Sequence, residues 1–182
     1  MLSSLPPSSS LSPTLGSLDG TVHLYHAQNN KLLSSYAHSL PQVSEDGEEE
    51  EVQGVECVAL APPPLSYLAT GGGDSMLKIW DYTSTHPTPR CTVAHEGAVV
   101  SVQWTSVREG LRALLVTAAL DKTIRVIDGR TGGVLRALTG HTDLIIQMKM
   151  STLKIGEEER EMVVTVSDDH TARVYIIDLL RV

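Results

Sequence analysis

One twelve-residue layout occurs four times in this chain and restricts what it can fold into. The clearest copy, TGGGDSMLKIWD at 70–81, predicts a strand, a tight glycine–aspartate turn and a second strand whose side chains alternate between two faces. The same layout recurs at Leu15–His26, Thr117–Asp128 and Thr165–Ile176. Four copies of one β-hairpin predict a repetitive all-β architecture.

The turn aspartates set the period of the repeat. They lie 55, 47 and 48 residues apart, which is room for about four short strands, so each repeat should form one small sheet. A threonine follows the aspartate by two residues in three copies and precedes it by four in three copies. A histidine precedes each of the last three hairpins. The aspartates are Asp19, Asp74, Asp121 and Asp169, and the histidines are His38, His95 and His141.

This pattern resembles the WD-repeat family, whose signature is a glycine–histidine pair, a strand, an aspartate turn and a tryptophan–aspartate pair. The resemblance implies a β-propeller, in which four-stranded sheets are arranged around an axis. It also implies a hydrogen-bonded network of histidine, threonine, aspartate and tryptophan within each sheet. The matching residues are Asp19 in the first copy; Thr70, Asp74 and Trp80 in the second; His95, Thr117 and Asp121 in the third; and His141, Thr165, Asp169 and Tyr175 in the fourth.

Two positions are expected to depart from the family network. Ile127 stands where the third copy would have its tryptophan, so that network should be one member short. His38 lies 36 residues before Asp74, compared with 26 and 28 residues in the next two copies, which argues against its participation. Because these sets recur at the repeat period, we interpret them as structural; a catalytic triad would occur once.

The chain is expected to form a partial propeller of about three and a half blades, with three, four, four and three strands. Closed rings of this type use about four to eight sheets, so the terminal sheets should expose apolar residues such as Val22, Leu24, Val174 and Ile176. Such a chain could belong to a longer protein, pair with a second copy or wrap around a partner, and we favour the first. The expected blades cover residues 13–36, 55–93, 94–138 and 139–177.

Three segments are expected to lie outside the sheets. Residues Met1–Ser12 are rich in serine and proline, which predicts disorder. Residues 40–54 carry six acids between Glu45 and Glu51, and their mutual repulsion predicts a solvated loop between the first two blades. The charged run Glu157–Glu161 predicts a hairpin loop in the fourth copy.

Composition restricts the partners. The net charge is −8 and there is no basic run, which disfavours nucleic acids and membranes and suits a basic protein partner. Cys57 and Cys91 lack metal-binding spacing and are expected to be buried thiols of a reducing compartment. The N-terminus has no signal-peptide pattern, so we expect a cytoplasmic or nuclear protein. We expect no enzyme activity, cofactor, metal or small-molecule substrate; the glycines at 71–73 precede a strand, not a phosphate-binding helix.

Partner binding is expected on the side of the ring that carries the aspartate turns. The order of the motifs, including the acidic insertion, resembles the C-terminal half of a WD-repeat subfamily that includes a ribosomal-protein chaperone. The first hypothesis is therefore a chaperone or assembly factor for a basic protein, such as a ribosomal protein. The alternative is an adaptor in signalling or cell migration that binds through apolar residues, with the acidic run only a linker. The predicted contact residues are Leu18, Gly73, Leu120, Asp168, Glu45, Asp46, Glu48, Glu49, Glu50 and Glu51.

Overall fold

The computed structural model describes residues 11–41, 51–86, 88–105, 113–155 and 158–177 of the 182-residue chain. Within these ranges, fourteen strands form four separate antiparallel sheets of three, four, four and three strands, as predicted. In each sheet, neighbouring strands are consecutive in the chain. The described part of the chain contains no helix that could cross a membrane.

The four sheets follow the order of the repeats. The first contains β1 (Leu11–Gly16), β2 (Thr21–His26) and β3 (Leu32–Ala37), and the second contains β4 (Val55–Leu60), β5 (Tyr67–Gly72), β6 (Met76–Asp81) and β7 (Cys91–Ala94). The third contains β8 (Val99–Trp104), β9 (Leu114–Ala119), β10 (Ile124–Asp128) and β11 (Val134–Leu138). The fourth contains β12 (Ile145–Ile155), β13 (Glu158–Ser167) and β14 (Ala172–Ile177).

The alternation of side chains along each strand gives every sheet two faces, and successive sheets pack face to face. On β6, Trp80 packs against Tyr36 of the first sheet, with ring centroids 5.2 Å apart, whereas Leu77 and Ile79 pack against the third sheet. Three apolar clusters therefore lie between four sheets. Their buried members include Val22, Val55 and Leu68; Val102, Leu115 and Ile127; and Val126, Ile145 and Val163.

The two terminal sheets differ in exposure. Val174 and Ile176 of β14 are 61% and 46% exposed, as expected for a last sheet with one uncovered face. The prediction was wrong for Val22 and Leu24, which are 0% and 2% exposed. The register of β2 places both side chains on the face that packs against the second sheet, and the more polar face points outward.

Two further expectations are corrected. The predicted disorder of Met1–Ser12 is wrong for Leu11 and Ser12, which belong to β1; residues 1–10 lie outside the described ranges. The predicted loop at Glu157–Glu161 is wrong for residues 158–161, which are strand: β13 begins at Glu158, and Glu161 pairs with Thr152 of β12. Glu157 lies outside the described residues. Consecutive acids are compatible with a strand because neighbouring side chains point to opposite faces.

Side chains on the inner strands connect one sheet to the next. The Cys57 thiol of β4 donates to the Val99 carbonyl of β8 at 3.2 Å, and the Trp104 indole of β8 donates to the Ala59 carbonyl of β4 at 3.1 Å. Between the third and fourth sheets, the Ser101 hydroxyl donates to the Met148 carbonyl at 3.3 Å. These bonds satisfy main-chain groups on strand edges that have no neighbouring strand.

The two cysteines should differ in reactivity. Burial raises the pKa of the Cys57 thiol to about 12, whereas burial raises that of the half-buried Cys91 less. Because the thiolate is the reactive species, iodoacetamide near pH 8 should modify Cys91 well before Cys57. Mass spectrometry of peptides from the folded protein measures this. Both thiols should react at similar rates in denaturant, and equal rates in the folded protein would contradict the prediction.

Candidate functional site

The aspartate turns of the four hairpins and the segments that connect successive sheets meet at one edge, which we call the rim. The residue before each of the last three turn aspartates donates its N–H to the residue preceding the inner strand: Gly73 to Gly54 at 3.0 Å, Leu120 to Ala98 at 2.9 Å and Asp168 to Leu144 at 3.0 Å. Each of these three turns is therefore hydrogen-bonded to the segment that enters its own sheet.

The aspartate is required by the geometry of the turn. In three copies its carboxylate accepts both the N–H and the hydroxyl of the threonine two residues later; Asp121 does so at 3.0 and 2.6 Å from Thr123. The residue between them adopts a left-handed conformation, with φ of 75° at Gly20, 62° at Ser75, 69° at Lys122 and 63° at His170. A short side chain with two acceptor oxygens stabilises this turn, which explains why aspartate sets the period.

The second sheet contains the complete four-residue network. The Trp80 indole donates to the Thr70 hydroxyl at 2.9 Å, His38 Nδ1 lies 2.7 Å from that hydroxyl, and His38 Nε2 lies 3.1 Å from Asp74 Oδ1. A neutral imidazole satisfies every group if Thr70 donates to Nδ1 and Nε2–H donates to the carboxylate. The hydrogen bonds to His38 and Met76 and the charge of Lys78 lower the pKa of Asp74 despite opposing desolvation.

The expectation that His38 would be excluded from this network was wrong. The extra residues between His38 and Asp74 belong to the acidic insertion, which leaves and rejoins the rim at one point. The Ser39 hydroxyl donates to the Gln53 carbonyl at 2.5 Å, so the segment between them does not displace His38.

The fourth sheet contains three of the four predicted members. His141 Nδ1 lies 2.8 Å from Asp169 Oδ2, and Nε2 lies 2.8 Å from the Thr165 hydroxyl. Hydrogen bonds from Thr171 and His141 hold the pKa of Asp169 well below its usual range. Tyr175 does not join: its buried hydroxyl reaches toward Gly140 instead of Thr165 and has no hydrogen-bond partner within the described ranges.

The third sheet breaks the network at its aspartate. His95 Nε2 lies 3.0 Å from the Thr117 hydroxyl, but His95 Nδ1 has no hydrogen-bond partner among the residues that the structure describes. Asp121 is bonded instead to the Arg125 guanidinium at 3.2 Å and to the Glu96 N–H at 3.2 Å, so its predicted membership was wrong. Burial and then the Arg125 charge lower the pKa of His95 to about 4, although Asp121 opposes the shift. Ile127 is fully buried at the tryptophan position.

Sequence reasoning missed a cation four residues after the turn aspartate. Lys78 pairs with Asp74 at 3.4 Å and donates to the His38 carbonyl. Arg125 similarly donates to the Ala94 carbonyl at 2.6 Å. Each cation thus links the turn aspartate to the segment that connects the preceding sheet with the sheet of that turn. The signal was present, because three of the four copies carry lysine or arginine at this position.

The predicted contact residues occupy different environments on the rim. Leu18 is 82% exposed, Asp168 and Glu51 are exposed, and Gly73 and Leu120 are half-buried. Asp19, in the first turn, is exposed, and its hydrogen bonds to described residues stay within its own turn, to Ser17 and Thr21. The remaining predicted contacts, Glu45, Asp46, Glu48, Glu49 and Glu50, lie outside the described residues.

Exposed charge is unevenly distributed between the two ends of the sheets. Among the described residues, the rim carries exposed carboxylates from five different loops and two exposed cations. Lys122 donates to the Thr142 carbonyl at 2.9 Å, and the Arg173 guanidinium lies beside Gly140. The opposite end carries exposed cations. The rim carboxylates are those of Asp19, Glu51, Glu96, Asp143 and Asp168, and the cations at the opposite end are Lys31, Arg90 and Arg130. No group of three or more histidine, cysteine or acidic side chains in the described ranges is arranged to hold a metal ion.

Comparison with known proteins agrees with this geometry. The family model described as "WD domain, G-beta repeat" matches residues 49–81, which include the first three strands of the second sheet. The chain is a WD-repeat protein. It is homologous to angio-associated migratory cell protein, with 31% identity to the dog protein and 30% to the human protein over 167 residues, which is 89% of this chain. The WD-repeat chain spans only 35% of the length of those relatives.

More distant matches support the same fold. The nuclear distribution protein PAC1 of Arthroderma benhamiae is 28% identical over 116 residues, or 62% of this chain and 24% of that protein. The crystal structure of Saccharomyces cerevisiae Sqt1 superposes with a TM-score of 0.72 at 16% identity, covering 93% of this chain and 45% of Sqt1. The fold is therefore a partial WD-repeat β-propeller.

Proposed function

We propose that this chain is a non-catalytic protein-interaction scaffold whose rim binds a basic protein. The observation that carries the proposal is the separation of exposed charge between the acidic rim and the cationic opposite end. Lys78 and Arg125 are paired with Asp74 and Asp121 and add little positive potential, so the five exposed rim carboxylates outnumber the exposed cations Lys122 and Arg173. Such a surface attracts a cationic partner and orients it toward one end of the sheets.

The acidic run in the sequence supports the same orientation. Its six acids, at Glu45–Glu51, belong to the segment that joins the rim at Ser39 and Gln53. Attraction between solvated charges extends over a Debye length of about 8 Å at physiological salt. Binding should therefore weaken as the salt concentration rises.

The class of partner follows from the sequence resemblance. A ribosomal protein is a suitable partner because it is basic and needs shielding from nucleic acid before assembly. A chaperone or assembly-factor role is thus our first proposal. The second is an adaptor in signalling or cell migration, which the 82% exposure of Leu18 on the rim favours.

The charge proposal is tested by changing the rim without changing the net charge. In the double variant Glu96→Gln/Arg130→Gln, one carboxylate is removed from the rim and one cation from the opposite end. Affinity for a fluorescein-labelled peptide of alternating lysine and serine should fall about two- to fivefold at low salt. Fluorescence anisotropy measures it, and Arg130→Gln alone is the matched control, with wild-type affinity expected. An unchanged affinity of the double variant would contradict the acidic-rim proposal.

The adaptor alternative makes a different prediction. Leu18→Ser removes an exposed apolar contact while keeping every rim charge. If the adaptor proposal is correct, binding of the partner should be lost in Leu18→Ser and should not depend on salt. If the basic-partner proposal is correct, salt should release the partner.

A further inference from the structure

A groove of about 740 Å³ lies where the first and second sheets meet. Rim residues such as Ser39 and Glu51 line one part of it, and Thr88 and Pro89 of the loop before β7 line another. The segment after β3 forms one side of it and is bonded to the first turn, since the His38 N–H donates to the Gly20 carbonyl at 2.8 Å. The bond between Ser39 and Gln53 joins this segment to the one that precedes β4. The groove is therefore preformed.

The groove combines apolar surface with a concave shape. Leu40, on its wall, is 67% exposed, and Pro89 is exposed nearby. Leu18 lies on the first turn and approaches Gly54, since its Cδ2 would be 3.1 Å from a Cβ at that position. Exposed leucines beside a concave surface indicate a contact site for an apolar side chain.

The charged residues around the groove favour a ligand of positive charge. Glu51 is exposed on the wall, and exposed Asp19 lies on the first turn, which packs closely against Ser39. Lys78 also lines the groove, but its ammonium group is bonded to Asp74 and to a main-chain carbonyl. A cationic group beside an apolar side chain therefore complements this groove better than an anionic one does.

We propose that this groove is the docking site for a basic segment of the partner protein that carries a leucine-type side chain. The apolar side chain contacts Leu40 and Pro89, and flanking lysine or arginine residues face Glu51 and Asp19. The inference rests on the proposed binding of a basic protein and adds a requirement for an apolar anchor. Charge alone gives weak attraction to the rim, and the anchor selects this part of it.

The test compares two peptides with the full 182-residue chain. One is the alternating lysine–serine peptide, and in the other two serines are replaced by leucine. The leucine peptide should bind about tenfold more tightly, and Leu40→Ser should remove that advantage while leaving the serine peptide unaffected. Leu32→Ser is the matched control, because Leu32 is 48% exposed at the opposite end of β3.

The site of binding can be read from the two tryptophans of the chain. Trp80 lines this groove, whereas Trp104 lies at the opposite end of β8. In NMR spectra, the leucine peptide should shift the indole N–H signal of Trp80 and leave that of Trp104 in place. Equal binding of both peptides, no effect of Leu40→Ser, or a shift of Trp104 alone would overturn the groove proposal while the proposed function stands. If neither peptide binds at low salt, the proposed function itself is wrong.

Discussion

Replacement of Thr70 by valine is expected to lower the free energy of unfolding by about 3 kcal/mol. The Thr70 hydroxyl is fully buried and serves both the His38 imidazole, at 2.7 Å, and the Trp80 indole, at 2.9 Å. Valine has nearly the same shape but leaves the Trp80 N–H and His38 Nδ1 buried without a hydrogen-bond partner, while His38 Nε2 keeps its bond to Asp74. Each such loss costs about 1–3 kcal/mol. Urea denaturation followed by tryptophan fluorescence measures the change.

The third sheet offers a matched control for this substitution. Thr117 is equally buried and occupies the position in the third repeat that Thr70 occupies in the second. Its hydroxyl is bonded to His95 but has no tryptophan partner, because Ile127 stands at the tryptophan position. Thr117→Val should therefore cost only about 1 kcal/mol. If Thr70→Val and Thr117→Val lose the same free energy of unfolding, the hydrogen bond between Thr70 and Trp80 does not contribute to stability, which would contradict this account.

Acidification from about pH 7 to about pH 4 is expected to destabilise the protein by about 3 kcal/mol through His95 alone. Burial and Arg125 lower the pKa of this histidine from 6.5 to about 4 in the folded state. As the pH falls through this window, the unfolded chain takes up a proton that the folded chain excludes. The stability contributed by the neutral imidazole is therefore complete above about pH 7 and lost near pH 4.

The variant His95→Gln isolates this contribution. Glutamine can still bond to Thr117 but does not titrate, so its stability should fall less between pH 7 and pH 4 than that of the wild type. His86→Gln, at an exposed loop position, should follow the wild-type curve. The pKa values of Asp74 and Asp121 are also lowered in the folded protein. The stability that these two carboxylates contribute is lost only as the pH falls below the window in which His95 acts. Parallel curves for the wild type and His95→Gln would contradict the assignment.

The fold was predictable because its signal is local and repeated. An aspartate that accepts hydrogen bonds from its own turn needs only three consecutive residues, and four copies at one period define the sheets. The strand alternation also identified the exposed Val174 and Ile176. It did not identify which face of the first sheet is covered, because that depends on packing against the second sheet.

The networks were less predictable because they depend on contacts between distant segments. The spacing argument excluded His38, since sequence distance cannot show that an insertion returns to its starting point. Pattern matching included Asp121 and Tyr175, since it cannot show that Arg125 competes for the carboxylate or that the tyrosine hydroxyl points elsewhere. The groove between the first two sheets left no sequence signal, because residues from four segments form it.

The location of a bound basic peptide tests the rim account most directly. Amide hydrogen exchange of the chain, with and without the leucine-containing lysine peptide, should show added protection in peptides covering 17–20, 38–41, 51–54 and 73–75. Peptides covering 27–31 and 129–133, at the opposite end, should exchange at unchanged rates. Protection confined to the opposite end, or spread evenly over both ends, would contradict binding at the rim.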